Sequence, residues 1–224
     1  MGRAARVCIV TALLGLAAWT GAMPAAAMPS AAQTAPDTCR LGPGDLGAGS
    51  LSLGTPNGGW LARGVPFPAS SPVAFTWDFP LGISPNRPWR RWGTEKLVLT
   101  IECVLAEAQF ADPLVRRIGV ADLSRPQGGP FGPKYGGQGH SSHQNGLDAD
   151  VLYPRRDGCE CAPLRVADVD VARSQRLIDA FVAAGAQYVF VSPVLWRRGR
   201  LRGPRAVVRP LIYHDDHLHV RLRP

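Results

Sequence analysis

All five histidines of this 224-residue chain fall in two short segments, and that confinement constrains the fold more than any other feature of the sequence. The first segment is Gly139-His140-Ser141-Ser142-His143-Gln144-Asn145-Gly146-Leu147-Asp148-Ala149-Asp150. The second, His214-Asp215-Asp216-His217-Leu218-His219, lies near the C-terminus. Imidazole is the side chain that titrates nearest neutral pH and is the commonest metal ligand. A chain that uses these groups together must fold its second segment back onto its first.

Spacing indicates how. Asn145-Gly146 is a turn signal, so a loop followed by a strand suits residues 143–150 better than a helix. Side chains alternate along a strand, which puts Asp148 and Asp150 on one side and His217 and His219 on one side. With the two strands adjacent, an Asp and a His converge while His143 arrives from the loop above. Two imidazoles and a carboxylate with a fourth position open are what a catalytic zinc needs to acidify a water and polarise a carbonyl. A structural zinc would be closed by four protein ligands, usually with Cys among them. The remaining His140, His214 and His217 are candidates for proton transfer or oxyanion stabilisation. Asp148, Asp215 and Asp216 are candidates for orienting imidazoles by accepting their second N–H. The plain alternative is a hydrogen-bonded polar cluster with no metal.

The N-terminus has the layout of a signal peptide: Arg3 and Arg6, an apolar run from Val7 to Trp19, then Ala25-x-Ala27. That run is too short for a settled transmembrane helix. The reading is a signal peptide over 1–27, a flexible lead-in over 28–49 and one folded domain over 50–224, exported to the periplasm or cell wall. Cleavage would leave Cys39, Cys103, Cys159 and Cys161, an even count that favours disulfides outside the cytoplasm. Cys159 and Cys161 are expected to reach out to Cys39 or Cys103, because a bond between them closes a strained ring. The formal charge of +8 falls to about +6 without Arg3 and Arg6, with Arg197, Arg198, Arg200, Arg202 and Arg205 bunched together. Such a field attracts polyanions. No aromatic-plus-basic module points to nucleic acid.

Periodicity predicts a helix opened by Thr94 and ended by Asp112-Pro113, and a second from Val169 to Ala184 stopped by Gly185. Strands are expected over 117–123, 148–153, 188–191 and 217–222. The Pro-rich stretch from Val65 to Pro88 should hold no long element. Trp60, Phe67, Phe75, Trp77, Phe79, Trp89 and Trp92 are expected to pack that stretch onto the core. Helices and strands without βαβ alternation indicate an α+β domain with a central antiparallel sheet flanked by helices and long loops.

Residues 139–150 and 214–223 resemble the two signature segments of the penicillin-insensitive murein endopeptidases, within the lysostaphin and D-alanyl-D-alanine carboxypeptidase type of zinc peptidases. The pattern His, six residues, Asp, then His-x-His falls at His143, Asp150, His217 and His219. The resemblance implies zinc held by His143, Asp150 and His219, with His217 as base or intermediate stabiliser and His140 and His214 as further catalytic histidines. It implies hydrolysis of peptide cross-links in peptidoglycan, between D-alanine and a diamino acid or between two diamino acids. A non-catalytic peptidoglycan-binding protein and a D-alanyl-D-alanine-type carboxypeptidase are the alternatives. Two His and one carboxylate also suit Fe(II) in an oxygenase, a poor match for an exported disulfide protein.

Overall fold

Between the two histidine segments and the N-terminus stands a run of very short strands. The hairpin of β1 (Leu51–Thr55) and β2 (Gly58–Ala62) comes first, then β3 (Val65–Pro66), β4 (Ala74–Thr76) and β5 (Trp92–Gly93). The structure is a computed structural model and describes residues 39–47 and 49–224. The expected signal peptide and most of the expected lead-in lie outside the described residues.

Helix α1 (Glu95–Ala111) starts where expected: the Thr94 side chain accepts from Leu97 N–H, satisfying one of the free amides of the first turn. Its buried face is Leu97, Val98, Ile101, Val104 and Leu105, three and four residues apart. Strand β6 (Ile118–Val120) is shorter than the predicted 117–123, and β7 (Asp148–Leu152) carries the first acidic pair. Helix α2 (Val171–Ala183) is capped by Asp170 and buries Leu177, Ile178 and Phe181. Gly185, at φ 86°, adopts the left-handed turn that stops it. Strands β8 (Tyr188–Val191), β9 (Val208–Pro210) and β10 (His217–Arg221) complete the chain, with the short helix α3 (Pro193–Arg197) after β8.

The main sheet runs β4-β6-β7-β10-β8-β9. Its centre is antiparallel as predicted, while the outer pairs β4/β6 and β8/β9 are parallel. The two faces do different work. Ala149, Val151, Leu218, Val220, Val120, Val189 and Val191 join the buried faces of α1 and α2 in one apolar core. Alternation turns Asp148, Asp150, His217 and His219 to the other face. The α+β prediction holds.

Two expectations are corrected. Cys39 pairs with Cys103, and Cys159 pairs with Cys161 across one residue. Cys39 is buried against α1, and the loop bends so that the Cα atoms of Cys159 and Cys161 stand 5.4 Å apart, within ordinary disulfide reach. Among the aromatics, Phe67 and Phe75 are buried as expected, but Trp60 is 58% exposed on the hairpin. No helix among the described residues is long and apolar enough to cross a membrane.

Candidate metal centre

Strands β7 and β10 pair so that His219 lies directly opposite Asp150 and Arg221 opposite Asp148. His143 enters from the loop before β7 with φ 64°, a left-handed conformation costly for a side chain of this size. Asp148 holds it there by accepting the His143 backbone N–H at 3.1 Å. The same carboxylate accepts His219 Nε2–H at 3.0 Å and Arg221 Nε–H at 2.6 Å.

These partners dictate tautomers. His143 Nδ1–H donates to the Leu123 carbonyl at 2.5 Å, leaving the Nε2 lone pair inward. His219 donates through Nε2, leaving Nδ1 inward. His143 Nε2, His219 Nδ1 and Asp150 Oδ1 then form a triangle with all three sides 3.3 Å. Ligand atoms about 2.0 Å from a tetrahedral ion lie about 3.3 Å apart. Both Asp150 oxygens are buried without a hydrogen-bond partner, a costly arrangement for a carboxylate unless a cation is shared there. Burial works against the Asp150 charge, but the surrounding His143, His217 and His219 hold its pKa well below the usual carboxylate range. The donor set fits a metal ion.

His140, His143 and Asp150 also lie close enough together to hold a metal. That triangle is looser: His140 Nδ1 is 3.8 Å from Asp150 Oδ2. His140 is turned by another partner, donating Nε2–H to Asp122 Oδ2 at 2.7 Å. His217 donates Nδ1–H to Asp216 at 2.6 Å and brings Nε2 to 3.6 Å from Asp150 Oδ1. The Phe79 ring packs on His217, with centroids 5.3 Å apart. Burial lowers the His217 and His219 pKa values, but carboxylates outweigh it and both end raised, His217 through Asp150 and Asp216, His219 through Asp148 and Asp150. His214 stacks beside His217 and donates to the Ile212 carbonyl. Burial, reinforced by the neighbouring His217, pushes it down to about 4.

All five histidines and Asp148 and Asp150 thus meet on one sheet face. Asp148 and Asp216 orient imidazoles as expected. Asp215 does not: it accepts from the Ser192 hydroxyl, which caps α3. Sequence reasoning missed Asp122, Arg90, Arg221 and the Leu123 carbonyl. Arg221 alone had a signal, since alternation puts it on the face of His219.

Two imidazoles and a carboxylate converging on one sheet face define the class of donor set found in catalytic metal centres. Residues 53–182, more than half of the chain, match the profile of a family described as penicillin-insensitive murein endopeptidase. The chain belongs to that family. Relatives bearing that name are 30% identical over 156 residues in Salmonella heidelberg and 30% over 159 residues in Salmonella paratyphi C, each alignment covering 60% of this chain and 54% of the relative. In Pectobacterium atrosepticum the figures are 29% over 126 residues, 46% of this chain and 43% of the relative. The chain spans about half the length of the curated relatives it matches. The family match contains His140, His143 and Asp150, while His214, His217 and His219 lie beyond it.

Proposed function

We propose that this protein is a zinc-dependent murein endopeptidase, exported by a signal peptide over 1–27 and acting through the domain over 50–224 on peptide cross-links of peptidoglycan. The observation that carries the reading is the 3.3 Å triangle of His143, His219 and Asp150 around orphaned carboxylate oxygens. His143, Asp150 and His219 would hold the ion, which when bound supplies a Lewis acid for the scissile carbonyl and acidifies a water.

The chain's own residues supply the proton handling. His217, anchored through Nδ1–H on Asp216, offers Nε2 to the proton released as water attacks the carbonyl, and returns it to the leaving amine. Phe79 covers the His217 ring and limits the water that reaches it. His214, with its pKa at about 4, is neutral at working pH and contributes an imidazole dipole without a charge. The products are a free carboxylate and a free amine. The Cys39–Cys103 disulfide supports an oxidising, extracytoplasmic setting.

The test is digestion of cross-linked peptidoglycan by the mature protein, followed by mass analysis of muropeptides. The proposal expects dimers converted to monomers, abolished by a chelator and by His219→Ala. Dimers left intact beside shortened monomer stems would indicate a carboxypeptidase. Intact dimers and stems with zinc bound would overturn the hydrolytic reading in favour of wall binding.

A further inference from the structure

Behind His140 lies a buried ion pair that the proposed chemistry leaves unused. Arg90, 1% exposed, is among the largest fully buried side chains in the described residues. It donates Nε–H and Nη2–H to the two oxygens of Asp122, each at 2.5 Å, and Nη1–H to the Tyr135 carbonyl at 2.8 Å. Trp89 and Phe131 pack against its guanidinium at 5.0 and 5.1 Å. A paired charge kept out of water at this cost calls for a reason.

The backbone shows how Asp122 reaches the site. Ala121 N–H donates to the Asp150 carbonyl and Asp150 N–H donates to the Asp122 carbonyl. Two residues therefore face one, beyond the regular pairing of Val120 with Val151. That is the pattern of a β-bulge, which re-aims side chains. Strict alternation from Val120 would send Asp122 into the core; the bulge brings its carboxylate to His140 Nε2 at 2.7 Å.

We infer that Asp122, clamped by Arg90, is a positioning residue that fixes the tautomer of His140 so that the Nδ1 lone pair faces the metal centre. The inference rests on the proposed peptidase site. Asp122 Oδ2 accepts Nε2–H, and Nδ1 is left 3.8 Å from Asp150 Oδ2, beside the His143 ring. With both oxygens engaged by Arg90, the carboxylate cannot swing away. His140 thus stands as an oriented acceptor near Asp150 Oδ2, while His217 approaches Oδ1, and Asp122 acts only through His140.

Asp122→Asn makes this testable, because Arg90 can bond only to the amide oxygen. The amide NH2 must then face His140 Nε2, which becomes an acceptor, and the proton moves to Nδ1. The experiment uses the zinc-loaded protein labelled with 15N-histidine and assigned with His140→Gln. Two-bond 1H–15N correlations should show Nε2–H at His140 in the wild type and Nδ1–H in Asp122→Asn. The variant should retain zinc and KM while kcat on cross-linked muropeptides falls on the order of 100-fold or more. A wild-type His140 protonated on Nδ1 overturns the inference even if the variant fails to fold. So does a variant with wild-type kcat. A wild type that cleaves no muropeptide overturns the proposed function instead, and the spectrum still decides the tautomer.

Discussion

Asp78 is fully buried and takes three donors from one residue: the Arg87 backbone N–H at 3.1 Å, Nε–H at 2.7 Å and Nη2–H at 3.0 Å. Burial raises its pKa, but the Arg87 bonds outweigh burial and leave it below the ordinary 3.8. A depressed folded value adds stability that is present above 3.8 and lost as pH falls through that lower value. Asp78→Asn should therefore cost about 2 kcal/mol at pH 7, with the gap to wild type narrowing below pH 3.8. Urea denaturation across pH checks this, and a gap constant from neutrality into strong acid would contradict it. The pair matters because it anchors the segment that presents Phe79 to His217 and Arg90 to Asp122. At this scale the sequence was legible where alternation holds: strand parity put Asp148 with Asp150 and His217 with His219 on shared sides, and only the register shows that it is Asp150 that faces His219. It was illegible at Asp122, because a bulge breaks the parity and nothing local announces one.

Among the elements, the β1/β2 hairpin, the loop through Gly128-Gly129 and the His143 loop cross at Gly128. Gly129 N–H is shared between the carbonyls of Gly59 and Gln144, and Trp60 bridges Gly128. Gly128 sits at φ 69°, and a Cβ there would stand 2.1 Å from the Gln144 carbonyl, beside His143. Gly128→Ala should cost at least about 1 kcal/mol in backbone strain and displace the His143 loop, lowering both melting temperature and metal affinity. A variant with unchanged values of both would contradict the crossing. Helices α1 and α2 were readable because their caps and periodicity extend over many residues, and strands β7, β8 and β10 because each is an apolar or alternating run of four or five. Strands β3, β4 and β5, of two or three residues each, are too short to carry a period, and only their pairing defines them.

The described domain is organised by a sheet with one face sealed by α1 and α2 and the other carrying the histidines. This division explains why an ordinary apolar composition can support a site so rich in buried polar groups: the core is complete without them. Arg197, Arg198, Arg200, Arg202 and Arg205 all stand exposed, as both a polyanion-attracting patch and a plain solvated loop would have them. The proposed zinc site is held by His143, Asp150 and His219, and not by His140. A crystal structure of the zinc-loaded protein with anomalous data at the zinc edge tests it most directly. One peak is expected about 2.0–2.2 Å from His143 Nε2, His219 Nδ1 and an Asp150 oxygen, with His140 still bonded to Asp122. A peak coordinated by His140 in place of His219, or no peak at the triangle, would contradict it.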